Sequence, residues 1–265
     1  MIVNFINYLK DLIGPFYYKL DPKIFGRGYE RYKIDLIKKS INNIQVDPIT
    51  YIDERLIEIP WTLKKLSRLN GKLLDAGSTL NFEYIIKKLS KNFKIYIQTL
   101  YPEKKNYPNL GVKYFYKDLL YLDFKKNYFD VVTCISTLEH IGFDNSNYNY
   151  STSKIIDKKV SNKHIKVFKN LFKVLKPNGK LLITVPYGMR GNYINLQQFD
   201  RLELNRMFKS CKIKKLNIEY YLIKNNRWKK VKMQNCKNIE PKTLDNEKTR
   251  IVLSSNSIAL IEITK

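Results

Sequence analysis

From Lys72 onward the chain alternates short apolar runs with stretches of helical periodicity, and this alternation restricts the fold more than any other feature. Lys72–Ala76, Lys94–Thr99, Val112–Tyr116, Phe129–Ile135 and Lys180–Val185 have the length and composition of strands. The apolar run at Phe129–Ile135 points to burial on both faces. Between these runs, Phe82–Leu89 and Leu202–Phe208 read as helices. So does Asn162–Leu175, with Ile165, Phe168, Leu171, Phe172 and Leu175 at helical spacing, followed by a tight turn at Lys176–Gly179. Ile213–Leu222 and Ser257–Thr264 are a sixth and a seventh strand. The polar segment between them, Lys224–Ser255, lacks an amphipathic helix, so a hairpin-like antiparallel end fits better than another crossover. Strands alternating with helices predict an α/β domain with a mostly parallel sheet and helices on both faces.

The first 70 residues differ from the rest. They lean towards helix and are broken at Pro15, Pro22, Pro48 and Pro60, so residues 1–70 read as a helical extension packed on a domain spanning 71–265. With 44% hydrophobic residues the chain has ample material for a core. No run reaches the ~18 apolar residues of a membrane span. Met1–Leu12 carries Asn4, Asn7, Lys10 and Asp11 within its apolar stretch, unlike a signal peptide, so a cytoplasmic protein is expected. Cys134, Cys211 and Cys236 are far apart and have no paired spacing, which implies neither a disulfide framework nor a zinc site.

In an open parallel sheet, ligands bind beyond the carboxyl ends of the strands, where strand order reverses. The first strand is followed by Asp75-Ala76-Gly77-Ser78-Thr79, a turn whose glycine lets backbone approach a ligand. Without the fuller G-x-G-x-x-G pattern, this turn argues against NAD or FAD. Lys117-Asp118-Leu119-Leu120 follows the third strand, Ser136-Thr137-Leu138-Glu139-His140 the fourth, and Pro186-Tyr187-Gly188-Met189-Arg190 the fifth. Taken singly these are weak, since a lone Asp after a strand is most often a helix cap. Their joint order is specific.

The set LLDAGS, KDLLYLDF, FDVVTCISTLEHIG and LKPNGKLLITVPYG resembles the class I S-adenosylmethionine-dependent methyltransferases, in the group where a Glu-His pair follows the fourth strand. The segments DERLIEIPWTL, EHIGFDN and TVPYG…LQQFD further resemble bacterial methyltransferases of sugar and surface-polysaccharide biosynthesis. The resemblance implies a Rossmann-like methyltransferase fold of about seven strands. It implies Asp75 and Gly77 along the methionine part of S-adenosylmethionine, Ser78 beside them, Asp118 and Leu119 at the adenine, and Ser136 and Thr137 under the sulfonium. The chain departs from the family in its reduced glycine turn and at the end of the second strand. There Gln98 stands where an Asp or Glu grips the ribose hydroxyls, which weakens the expected binding by about a kilocalorie per mole.

A hydroxyl acceptor needs a base to take its proton. His140, one of two histidines, is the candidate catalytic residue, with Glu139 to orient it or cap the following turn. Asp144, Tyr187, Arg190, Gln197 and Gln198 would face the acceptor, and Arg190 suits a phosphate or carboxylate. Each has a plainer reading as ordinary loop surface. His164 reads as solvated between Lys163 and Lys166, Trp61 as packing the N-terminal segment onto the sheet, and Trp228 as part of a lysine-guarded hairpin edge or a stacking patch. No residue pattern calls for a metal. The net charge of +25 fits a nucleic-acid partner or an AT-rich coding composition, and the scattered lysines favour the second. Three functions remain: methylation of a sugar or other small polar acceptor, methylation of RNA or protein, and S-adenosylmethionine binding without catalysis.

Overall fold

The computed structural model describes residues 37–38, 54–143, 162–193, 196–225, 227–246 and 249–265. Among the described residues the order begins with α1 (Arg55–Leu66), β1 (Gly71–Ala76), α2 (Glu83–Leu89), β2 (Phe93–Thr99), β3 (Lys113–Tyr116) and β4 (Phe129–Ile135). It continues with α3 (Lys163–Val174), β5 (Leu175–Pro186), the two-residue strands β6 (Gly191–Asn192) and β7 (Gln197–Gln198), and α4 (Arg201–Lys209). The chain closes with β8 (Lys215–Lys224), β9 (Arg227–Val231), β10 (Lys242–Asn246), β11 (Thr249–Ser254) and β12 (Ser257–Thr264).

The main sheet has eight strands in the order β3-β2-β1-β4-β5-β12-β8-β9. Strands β1 to β5 pair in parallel, and β12 inserts antiparallel between β5 and β8. The seven expected strands are all present, and the α/β fold with a mostly parallel sheet and an antiparallel carboxyl-terminal strand is the one observed. The eighth strand, β9, lies beyond the seven expected and corresponds to the hairpin-edge reading of Trp228. It pairs antiparallel with β8 at the sheet edge. Trp228 is buried while Arg227, Lys229 and Lys230 are exposed, which is how an edge strand resists pairing with other chains. The turn at Lys176–Gly179 lies inside β5, which pairs residue by residue with β4 only from Lys180 onward.

Side chains alternate across the sheet and feed two cores. Leu74, Val132, Leu181, Ile183 and Ile261 face α3 and α4, while their neighbours Leu73, Val131, Leu182 and Leu260 face α1 and α2. Helix α1 contributes Ile59, Leu63 and Leu66 to the second core. Trp61 Nε1 donates to Glu219 Oε1 of β8 at 3.1 Å, fastening that helix to the sheet as expected.

One expectation fails on α3. Its buried stripe is His164, Val167, Phe168, Leu171 and Phe172, and Ile165 is only half-buried. His164 is therefore not solvated: it is fully buried and packs edge-on against Phe199. Its spacing of four from Phe168 and seven from Leu171 already puts it on the inner face, a signal outweighed in the sequence by the flanking lysines.

Candidate functional site

The order β3-β2-β1-β4-β5 reverses direction between β1 and β4, the place where an open parallel sheet of this kind holds its ligand crevice, beyond the strands' carboxyl ends. After β1 the backbone turns sharply, with Gly77 at φ +110° and Ser78 at φ +64°. After β4, Ser136 sits at φ +42°. Two non-glycine residues in this sparsely populated region mark loops held in place by their surroundings. The two loops touch. A Cβ on Gly77 would lie 2.0 Å from Thr137 Oγ1, so only glycine fits. Thr79 Oγ1 and Thr137 Oγ1 both donate to the carbonyl of Ile135, at 2.7 and 3.0 Å.

Asp75 is buried at the base of this crevice and accepts hydrogen bonds from Leu80 N at 2.8 Å and Thr133 Oγ1 at 2.9 Å. Burial outweighs these bonds and pushes its carboxyl up to about 6. The third loop joins through Gln98. Its Nε2 donates to the carbonyls of Lys117 and Asp118, both at 3.2 Å, tying the end of β2 to the turn after β3. Gln98 thus fastens the loop after β3 and spends its amide donor on backbone carbonyls. Asp118 Oδ1 accepts from Leu120 N at 2.8 Å and caps the short turn Leu119–Tyr121, in which Leu119 is buried.

A carboxylate missed in the sequence lies nearby. Glu103, five residues beyond Gln98, is in hydrogen-bond contact with Ser78 Oγ and within electrostatic range of Asp75. It brings back to the β1–β2 crevice the acid that the strand end lacks. The other missed residue is Glu58 of α1, which is fully buried. Its Oε1 accepts from Ser136 Oγ and from Thr184 Oγ1, each at 2.6 Å, and its Oε2 pairs with Arg55 at 2.6 Å. The Ser136 hydroxyl is accordingly turned to α1. Glu58 was hidden in the sequence because it looks like an ordinary charge near the start of an amphipathic helix.

Glu139 and His140 close the turn Leu138–His140. His140 is half-buried. Glu139 is buried, with Oε2 unpartnered, and its carboxyl is held well above the usual range by burial and by Glu58. It faces the charged residues Glu54, Arg55 and Glu58 of the α1 region. Its expected role of orienting His140 is therefore corrected: it belongs to the buried acidic cluster under α1.

The acceptor-side expectations divide. Tyr187 is not on a loop surface: it is buried, with its ring centroid 4.8 Å from that of Tyr220, and burial drives its hydroxyl pKa up. Gln198 is buried and donates to the carbonyls of Met189 and Ile239 at 2.9 and 2.8 Å, so it ties down the loop after β5, while its Oε1 is unpartnered. Gln197 is also buried, with Nε2 unpartnered, on a strand that packs against the Leu138–His140 turn. Arg190 is partly exposed, and its Nη2 lies 3.1 Å from Glu203 Oε2. Asp144 lies outside the described residues. Among the described residues no group of three His, Cys, Asp or Glu side chains is placed to hold a metal, and no helix is long and apolar enough to cross a membrane.

Residues 82–183, which contain β2 to β4, the Leu138–His140 turn, α3 and most of β5, match the methyltransferase domain family. This segment, less than half of the chain, is similar to that family, and the match supports a methyltransferase with S-adenosylmethionine as its methyl donor. No curated protein matches the chain. Among solved structures it is similar to an S-adenosylmethionine-dependent methyltransferase from Thermotoga maritima, with 15% identity, a TM-score of 0.48, and coverage of 92% of this chain and 98% of that one. It is also similar to the 1,6-didemethyltoxoflavin-N1-methyltransferase of Burkholderia thailandensis, solved with S-adenosylhomocysteine, with 12% identity, a TM-score of 0.49, and coverage of 90% and 89%. A third is a methyltransferase from Archaeoglobus fulgidus, with 11% identity, a TM-score of 0.48, and coverage of 78% and 91%. The assignment rests on the domain match and not on these distant likenesses.

Proposed function

We propose that this methyltransferase methylates a hydroxyl of a small polar acceptor, a sugar in the first instance, at the carboxyl ends of β4 and β5. The observation that carries the reading is the junction of the three loops. The turns after β1, β3 and β4 are bonded to one another through Gln98, Thr79 and the Thr137–Gly77 contact, leaving one crevice at the strand-order reversal. The residues there fit an adenosyl sulfonium. Asp75 and Glu103 offer oxygens to the ammonium and ribose ends, and Asp118 and Leu119 suit the adenine.

Bound S-adenosylmethionine supplies a methyl group already activated by its sulfonium charge, which leaves the protein to orient the acceptor and manage one proton. Ser136 and Gly77 set the floor of the crevice through their left-handed backbone. His140, half-buried at the end of its turn, receives the acceptor proton at a ring nitrogen. The turn that carries it packs against α3, β5 and β7, which supports this role by fixing the backbone beneath the imidazole.

The test is His140→Ala with labelled S-adenosylmethionine and a panel of sugars and nucleotide sugars. Turnover is expected to fall ~10²-fold or more with S-adenosylhomocysteine affinity unchanged. Full turnover in that variant removes His140 as the base. Turnover on tRNA but on no sugar removes the acceptor class.

A further inference from the structure

We propose that Arg190 and Arg206 together form the binding site for a phosphoryl group carried by the acceptor. The inference rests on the acceptor reading above and narrows it.

Three segments meet at one carboxylate: α3, α4 and the turn between β5 and β6. Glu203, in the first turn of α4, is 1% exposed. Its Oε1 lies 2.9 Å from Nε2 of the fully buried His164 on α3. Its Oε2 is shared by two guanidinium groups, Arg190 Nη2 at 3.1 Å and Arg206 Nη1 at 3.0 Å. Arg206 Nη2 also donates to Asn162 Oδ1 at 3.0 Å. The imidazole thus fixes the carboxylate on its buried side, and both arginines gather on its open side, 41% and 49% exposed.

Among the described residues one carboxylate faces two guanidinium groups, which leaves positive charge in surplus and like charges close together, an arrangement relieved by a bound anion. A guanidinium presents several donors in a fixed fork; Arg190 uses one nitrogen on Glu203 and Arg206 one on Glu203 and one on Asn162, so donors remain on both to match the oxygens of a phosphoryl group. The location agrees. Arg190 lies between β5 and β6, and the Leu138–His140 turn packs against both α3 and β7, so the pair opens on the acceptor side of that turn.

The experiment uses the full chain saturated with S-adenosylhomocysteine, titrated calorimetrically with inorganic phosphate and with pyrophosphate at constant ionic strength set by sodium chloride. The unmodified protein is expected to bind one or both anions. A preference for pyrophosphate indicates a nucleotide-diphosphate-linked acceptor, and a preference for phosphate a monophosphate ester. Arg190→Gln and Arg206→Gln should each weaken binding at least tenfold. Arg206→Lys, which keeps the charge and loses the fork, should weaken it less. Lys87→Gln, on the exposed face of α2, should leave it unchanged. Equal affinities in all these proteins, or an equal loss in Lys87→Gln, would overturn the proposal. If Arg190→Gln does not fold, the ranking of Arg206→Gln, Arg206→Lys and the unmodified protein decides alone. Failure of S-adenosylhomocysteine to bind the unmodified protein would remove the methyltransferase reading and, with it, the acceptor to which this site is assigned. Anion binding insensitive to the arginines, with the cofactor product bound, would remove only this one.

Discussion

The two halves of the site are held by different means. On the cofactor side, the loops after β1, β3 and β4 are fixed by backbone conformation and by side chains that bond backbone carbonyls: Gly77, Ser78 and Ser136 at positive φ, and Gln98, Thr79 and Thr137 as donors. On the side proposed for the acceptor, α3, α4 and the loop after β5 are joined by charged side chains, with His164, Arg190 and Arg206 around Glu203, in addition to the bonds of Gln198 to the loop's carbonyls. Backbone-directed geometry is carried by a local motif and survives little change. Side-chain pairing between distant elements tolerates more, which suits the half of a transferase that distinguishes acceptors.

The largest effect that would sharpen this contrast is expected from Gly77→Ala. The new methyl would collide with Thr137 at a φ of +110°, costing about 4 kcal/mol from overpacking and strain together, and S-adenosylhomocysteine binding should be lost. Denaturant unfolding and calorimetry check both, and an alanine variant of normal stability would show that the two loops do not touch.

Next comes the pH dependence carried by Asp75. Its folded value, about 6, lies above the ordinary 3.8, so the folded state binds the extra proton. The contribution is therefore fully present below about pH 3.8 and is lost as pH rises through 6, about 3 kcal/mol in total. Unfolding free energies measured across that window should fall with rising pH relative to Asp75→Asn, which lacks this component. Parallel profiles for the two proteins would mean that Asp75 is not desolvated.

His164→Ala should cost about 2–3 kcal/mol by opening a cavity and leaving Glu203 Oε1 short of a partner. On the contrast drawn here it leaves S-adenosylhomocysteine affinity intact. A parallel loss of cofactor affinity would show the two halves to be one mechanical unit. The smallest effect is expected from Glu103→Gln, a roughly tenfold rise in the S-adenosylhomocysteine dissociation constant, about 1.4 kcal/mol, with unchanged folding stability. No change would return the ribose contact to Gln98.

The sequence made the cofactor side legible down to individual loops. The turn at Asp75–Gly77, the cap at Asp118 and the stretch at Ser136–Thr137 each follow a strand end, and strand ends can be located from apolar runs. What each residue does was less legible. Gln98 was read as facing ribose because it occupies the strand end, yet its amide spans to Lys117 and Asp118, a contact that depends on where β3 lies. Tyr187 and Gln198 were read as loop residues because of their types, and both are buried, since the β5–α4 connection folds back through β6 and β7 under neighbouring segments. Glu58 and Glu103 carry no local signal, because a glutamate becomes informative only when its partners are known.

By itself, then, the order of apolar runs and helical stretches determined a parallel sheet with an antiparallel close and two covered faces, because periodicity of two or near four depends on residues adjacent in the chain. The tertiary structure alone decided that His164 is buried, that Glu58 reaches Ser136 and Thr184 across 78 and 126 residues, and that two arginines share one carboxylate. Such contacts are set by the packing of helices on a twisted sheet. Side chains from α1, α3 and α4 converge on the carboxyl ends of β4 and β5 because the sheet order brings their helices there, and no short stretch of sequence encodes that meeting.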